Sequence, residues 1–181
     1  GKELTADADY LTYRSTNRQS LINSYFDAAG FPFIQPDTLV GNLPQQINIY
    51  SGKIDYSKPL KKGAKFEAGL KTSFVNTDND GVYNNVINDR QVLDSGRSNH
   101  FIYKENIQAL YSSIEIRRQR ISLQAGVRYE YTGYDANQLG NVQQKDSAFS
   151  RTYGSLFPSG SISLQVDSFS SFTFTAGRRI D

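Results

Sequence analysis

Apolar and polar residues alternate along much of this chain. Between Gln119 and Thr132, Ile121, Leu123, Ala125, Val127, Tyr129 and Tyr131 take one parity and Ser122, Gln124, Gly126, Arg128, Glu130 and Thr132 the other. This is the period-2 signature of a strand with one apolar and one polar face. Residues 64–74 repeat it, with Ala64, Phe66, Ala68, Leu70, Thr72 and Phe74 set against Lys65, Glu67, Gly69, Lys71 and Ser73. In the stretch 99–117, Phe101, Tyr103, Ile107, Ala109 and Tyr111 share a parity before Ile114 and Ile116 take the other, which predicts a bulge at Ser112-Ser113. Ile162, Leu164 and Val166 mark a strand over 161–166, and Phe172, Phe174 and Ala176 one over 172–176. Less regular strands are expected over 4–14 and 47–58, the latter changing parity between Ile49 and Tyr50. The pattern thus predicts an all-β chain of about seven strands.

The connections alternate in length. Residues 15–45, 77–98 and 134–158 are long and rich in Asn, Asp, Gly, Ser and Gln, whereas 59–63, 117–120 and 167–171 are tight turns. In a water-soluble sheet both ends face the same solvent, and no physical reason forces this order. An outer-membrane barrel has short turns on its periplasmic side and long loops outside. The alternation therefore predicts an antiparallel up-and-down meander with long loops on one edge. Inside the first loop, Leu21, Ile22, Tyr25, Phe26 and Ala29 recur at helical spacing between Ser20 and Gly30, consistent with a short helix stopped by glycine or with an ordered loop held by aromatic anchors.

Two environments fit the apolar faces. They either pack into a soluble core, or they meet lipid, with Tyr10, Tyr56, Phe66, Phe74, Phe101, Tyr129, Tyr131 and Phe172 as interfacial girdles and Lys65, Glu67, Lys71, Arg128 and Glu130 lining a hydrated lumen. No helix long enough to cover a sheet is in view. Seven strands cannot close a bacterial single-chain barrel, which takes an even number and at least eight, so the membrane reading makes the chain a segment of a larger barrel.

Composition removes several function classes. The 181 residues hold no Cys, no Met, no Trp and one His, and Lys+Arg 20 against Asp+Glu 18 leaves a net charge of +2. Disulfides, thiolate metal sites and cysteine nucleophiles are excluded, and the charge balance does not point to nucleic acid. No apolar run is long enough for a transmembrane helix. Gly1-Lys2-Glu3 shows no secretion signal, so a processed or excised piece is expected. Asp78-Asn79-Asp80-Gly81 resembles the middle of a calcium loop, but Ile87 falls where the bidentate Glu belongs, leaving an ordinary Asx-rich loop as the expectation. His100 has no second His beside it, and no serine has a base to activate it. Glu105 and Glu130 could meet across adjacent strands, but Arg117, Arg118, Arg120 and Arg128 favour ion pairing. No catalytic, cofactor-binding or metal-ligating residue is assigned, and no enzyme activity or cofactor is expected.

The stretches Phe101–Tyr111, Leu123-Gln-Ala-Gly-Val-Arg128-Tyr-Glu130-Tyr-Thr132, Tyr153-Gly-Ser-Leu-Phe157-Pro158-Ser159 and Ala176-Gly-Arg178-Arg179-Ile180 occur in that order. Together they resemble the barrel of TonB-dependent outer-membrane receptors of Bacteroidetes and the related outer-membrane β-barrel family. Asp55-Tyr56 and the Lys62-Gly63 turn fit the preceding hairpin, and the resemblance covers 46–181 and, more loosely, 1–45. It implies a plug domain inside a barrel of about 22 strands, a place in the outer membrane, an unidentified nutrient as ligand, and import driven through TonB. The chain itself, 1–181, is then one barrel segment without the plug, touching outer-membrane lipid, and as an excised piece expected to self-associate through its open edges and apolar face. The alternative is a soluble periplasmic or cell-surface β-domain that binds protein or glycan.

Overall fold

The computed structural model describes residues 1–178, so Arg179 and Ile180 of the last motif lie outside the described residues. The order along the chain is β1 (Glu3–Phe26), β2 (Pro32–Pro59), β3 (Ala64–Ile87), β4 (Arg90–Leu93), β5 (Asn99–Arg118), β6 (Ile121–Leu139), β7 (Ser147–Gln165) and β8 (Ser171–Gly177). All pair antiparallel in one sheet ordered β1-β2-β3-β5-β6-β7-β8, with β4 on the far end of β3. The sheet curls into a half-barrel, and the expected meander is what forms.

The strands are far longer than the alternating segments, and most of each expected long loop is strand. Residues 15–26 and 32–45 pair with each other in β1 and β2, and 77–81 of β3 pair with 99–103 of β5. Low hydrophobicity concealed them, because an extended hairpin standing in water on both faces needs ladder hydrogen bonds rather than apolar alternation. The expected helix is absent: Leu21 and Ile22 are extended opposite Leu39 and Thr38. Gly30, at φ 85°, serves the β1–β2 turn and does not cap a helix.

The connections that remain are short, and four of the seven share a device. Asp27 Oδ1 accepts from the Ala29 and Phe31 amides at 2.9 and 2.8 Å, and Asp94 Oδ1 from Gly96 and Arg97 at 3.0 and 3.1 Å. Asn141 Oδ1 takes Gln143 and Gln144 at 2.9 and 3.1 Å, and Asp167 Oδ1 takes Phe169 and Ser170, both at 2.8 Å. One Asx side chain thus satisfies the turn's free amides in each of four connections. Asn88 and Asp89, at φ 49° and 59°, make the two-residue β3–β4 turn, whose paired positive φ values match a type I′ hairpin.

The bulge expected at Ser112-Ser113 does not exist. Pairing runs unbroken from Ala64↔Ile116 to Gly81↔Asn99 and from His100↔Leu139 to Arg118↔Ile121. Nor does the parity change at Ile49/Tyr50 interrupt the β2–β3 register there. What changes is which face is apolar. From Ile114 and Ile116 to Leu110, the apolar residues of β5 point to the convex face, where Leu110 is 59% exposed. Ala109 beside it, on the concave face, is 5% exposed. Farther along, Ile107, Tyr103 and Phe101 sit on the concave face. Phe101 is therefore removed from the expected outer girdle. The other seven girdle residues are on the convex face, but Tyr10, Phe74, Tyr129 and Tyr131 lie mid-strand because the strands continue past them.

This inversion follows from depth. A tilted strand needs about 9–11 residues to cross the hydrocarbon, and the convex apolar runs 66–74 on β3 and 121–131 on β6 have that length. Beyond Tyr10, Tyr50 and Phe74, which are successive register partners, lipid no longer rewards an apolar convex face. The more crowded concave side then takes the apolar residues, and Leu39, Ala109, Ala136 and Thr132, the buried side chains among the described residues, all lie on it. From Tyr10 to Phe26, β1 reaches roughly 50 Å along its strand.

Candidate functional site

The concave wall opposite the lipid-facing band carries a network of charge. Asp55 on β2, Gly69 on β3, Tyr111 on β5 and Arg128 on β6 are successive register partners. The Tyr111 hydroxyl donates to the Asp55 carboxylate, reaching over Gly69, where a Cβ would fall 2.5 Å from the ring and 2.6 Å from Asp55 Oδ1. Only glycine leaves that path open. On the other side of the ring the Arg128 guanidinium lies 5.3 Å from its centroid, in cation–π geometry, and pairs with Glu130. Lys53 Nζ sits 2.8 Å from Asp55 and 3.6 Å from Asp7. One chain of contacts, Asp7–Lys53–Asp55–Tyr111–Arg128–Glu130, therefore crosses β1, β2, β5 and β6. Nearby, Lys65 holds Glu67 at 2.5 Å, and Glu115 holds Arg117.

Alternating sign along the network pairs each charge with an opposite neighbour and keeps the concave wall polar. The ion pairs Lys65–Glu67 and Arg128–Glu130 join residues that the alternation had already placed on one face. The link through Tyr111 was not legible, because β5 offers Tyr111 in the same parity as Phe101 and Ile107, and only the cross-strand position of Gly69 marks its partner.

Above this belt the concave face turns aromatic. Tyr103 and Tyr134 have ring centroids 6.0 Å apart, and Phe149 meets Tyr134 edge-on at 6.0 Å. Farther up, Gln19 Nε2 donates to the Tyr83 hydroxyl at 3.0 Å across Gly41, where a Cβ would meet both side chains at 2.9 Å. The Tyr111–Gly69 arrangement thus recurs one strand over in the sheet.

The other singled-out residues are accounted for. Asp78-Asn79-Asp80-Gly81 lies inside β3, so its side chains alternate between faces and cannot surround an ion. Asp78 Oδ1 is 2.8 Å from His100 Nε2, which engages both on the convex face. Glu105 pairs in register with Tyr134 and Glu130 with Ala109, so the two carboxylates do not meet. Arg120 Nη1 donates to the Val166 carbonyl at 3.2 Å, and Arg118 lies exposed at the end of β5. Among the described residues, no three His, Asp or Glu side chains gather as metal ligands. Arg178 caps the last pairing through its amide and guanidinium, to Pro158 at 3.0 Å and Leu156 at 3.2 Å.

Comparison with known proteins matches this geometry. In fold, 92% of the chain superposes on 26% of the ferric yersiniabactin uptake receptor FyuA from Yersinia pestis, at a TM-score of 0.60 and 14% identity. It likewise covers 25% of the ferric citrate transporter FecA in its unliganded form, at 0.54 and 12%, again with 92% of this chain. The chain therefore spans about a quarter of each of these structures. Both are named for uptake or transport, not for catalysis. No curated protein sequence matches the chain. The model of the outer membrane protein beta-barrel family matches residues 1–181, end to end. With an uncovered apolar band on one face and a charged wall on the other, the chain belongs to the outer membrane protein beta-barrel family and resides in the outer membrane.

Proposed function

We infer that residues 1–181 are one continuous stretch of the wall of a larger receptor barrel that binds a nutrient and imports it, with a plug domain inside the lumen and TonB as the energy-delivering partner. The observation that carries this reading is the sorting of the two faces by depth. Leu70, Leu110, Leu123 and Val127 face outward at the level where Lys53, Asp55, Tyr111, Arg128 and Glu130 face inward. The similarity to an uptake receptor and a transporter supports it. The aromatic rows and long hairpins above the belt give the ligand its first contacts, and the belt keeps the passage wet below them. A soluble protein- or glycan-binding domain is disfavoured by the exposed apolar band.

The 181 residues hold no cysteine, so single cysteines report cleanly once any cysteine elsewhere in the complete protein is replaced by serine. In cells making the complete protein, Glu130→Cys and Lys71→Cys should react with a membrane-impermeant maleimide, and Val127→Cys and Leu110→Cys should not. Labelling at Glu130→Cys should also change when TonB is deleted. Equal labelling of the two faces would refute the wall assignment, and labelling indifferent to TonB would refute energised import.

A further inference from the structure

The two ends of the sheet differ in charge. At the short-turn end, residues 57–63 and 116–122 hold Lys58, Lys61, Lys62, Arg117, Arg118 and Arg120 and no Asp or Glu. At the other end, the connections 27–31, 88–89, 94–98 and 140–146 hold Asp27, Asp89, Asp94 and Asp146 against Arg97 and Lys145. Short turns mark the periplasmic side of an outer-membrane barrel, so the basic end faces the periplasm.

Folding gathers these cations from two separate turns. Ala64 pairs with Ile116, and a Cβ on Gly63 would fall 2.4 Å from the Arg117 carbonyl oxygen, so the backbones of the two turns touch. Arg120 extends the row to the third turn through the Val166 carbonyl at 3.2 Å. The carboxylate of that turn, on Asp167, is taken up by the Phe169 and Ser170 amides. Arg117 pairs with Glu115, but among the described residues no carboxylate lies within ion-pair distance of Lys58, Lys61, Lys62, Arg118 or Arg120. Like charges gathered this way repel, and the chain supplies little to offset them. Nor does the turn ask for the charge: Lys62 has φ 63°, where glycine or asparagine sits with less strain.

The placement of the cations selects the partner. Lys58 and Arg118 share the convex face with their register partners Phe66 and Ile121. Arg117 is on the concave face with Glu115, Lys61 and Lys62 are at the turn tip, and Arg120 lies along the rim. Most of the row is therefore where no bilayer reaches, and a partner that meets it comes from below, spans successive turns and carries repeated anionic groups. Arginine forks suit carboxylates in particular. The polymer of that chemistry lying parallel to an outer membrane on this side is peptidoglycan, whose stem peptides carry free carboxylates.

We propose that this basic rim docks the peptidoglycan layer, with stem-peptide carboxylates on Lys61, Lys62, Arg118 and Arg120. The contact moors the barrel wall from below. It rests on residence in the outer membrane and is independent of import.

The test uses the complete protein that carries this chain, purified in detergent and sedimented with isolated peptidoglycan sacculi. The protein is expected to sediment with sacculi at low salt and to be released at 1 M salt, where the Debye length is about 3 Å. Lys61→Gln/Lys62→Gln should weaken binding by about tenfold, adding Arg118→Gln should abolish it, and Lys61→Arg/Lys62→Arg should retain it. Lys62→Gly should weaken binding while raising the unfolding temperature, a pair of effects that damage to the fold cannot produce. Arg90→Gln/Lys145→Gln, at the opposite end, should change nothing. Sacculi whose carboxylates have been amidated should not bind. Sedimentation unmoved by the rim variants, or equal with amidated sacculi, overturns the proposal. So does a result in which the rim variants leave sedimentation untouched and instead change the preference for phosphatidylglycerol over phosphatidylethanolamine in nanodiscs, because the rim then serves the bilayer.

Discussion

Gly69→Ala separates two opposed effects of adding a methyl group to a strand. A glycine inside a strand costs about 0.5–1 kcal/mol relative to alanine through backbone entropy, so the substitution is stabilising where there is room. At Gly69 there is none: the new Cβ would lie 2.5 Å from the Tyr111 ring and 2.6 Å from Asp55 Oδ1. Overpacking of this kind costs about 1–3 kcal/mol, and a displaced Tyr111–Asp55 hydrogen bond adds about 1 kcal/mol. The clash wins, and a net loss of about 1–3 kcal/mol is expected. Gly160 is the control, since the nearest atom to its Cβ position is the Gln124 carbonyl at 3.5 Å, and Gly160→Ala should gain about 0.5–1 kcal/mol. Urea unfolding of the complete barrel in liposomes, followed by far-UV circular dichroism, measures both. Adding Tyr111→Ala removes the ring that Gly69 accommodates, so Gly69→Ala made in that background should become neutral or stabilising, a coupling of about 2 kcal/mol. If Gly69→Ala costs the same with and without Tyr111, the glycine is not there for the tyrosine and the network argument fails.

Three further outcomes follow from the two faces and the turns. Val127→Arg places a cation at hydrocarbon depth and should cost about 2–4 kcal/mol in the same unfolding assay, while Gln124→Arg on the wet concave face should cost little; similar losses would contradict the assignment of faces. Hydrogen bonds from Asn85 and from the Arg97 amide, with the Arg97 charge, hold the Asp94 carboxyl below its ordinary value. Its contribution to the 94–98 turn is therefore complete above the usual carboxylate range and is lost as pH falls through the lowered value. Amide exchange at Gly96 and Arg97 should quicken in acid, and Asp94→Asn should flatten that dependence. Asp89→Gly, at φ 59° in the two-residue β3–β4 turn, should slow amide exchange in the hairpin, because glycine adopts that conformation without strain.

The parts of the fold that could be read from sequence were those in which lipid imposes one rule on every other residue. Ile121 to Tyr131 and Phe66 to Phe74 announced themselves because their convex side chains all meet the same solvent. Residues 15–45 did not, because above the bilayer both faces meet water and the ladder between β1 and β2 can be built from Ser, Thr, Asn, Gln and Arg as well as from Val or Ile. Leu21, Ile22, Tyr25 and Phe26 then mimicked a helix simply by being the apolar residues available. The parity changes at Ile49/Tyr50 and around Ser112 were visible, but a bulge is only one way to exchange faces. The other is to leave the backbone register alone and change the solvent, and the unbroken pairing of β5 with β3 and β6 selects it.

The same distinction explains which part of the candidate site was visible. Arg128–Glu130 and Lys65–Glu67 are contacts between residues two apart on one strand, so a single strand's alternation contains them. Asp55–Gly69–Tyr111–Arg128 needs the relative register of four strands, and register is set by turns such as Lys61–Gly63 and 119–120, not by any one strand's pattern. Once register is known, the glycines become informative. Gly69 and Gly41 sit where a tyrosine from the next strand crosses to a polar partner beyond, whereas Gly160, whose Cβ position meets only the Gln124 carbonyl at 3.5 Å, marks no such crossing. A wall built this way fixes its lumenal side chains through neighbours on other strands, with no packed core behind them. Its polar face and its lipid face can then change independently, and this independence allows one scaffold to keep its outside matched to hydrocarbon while the concave side chains vary.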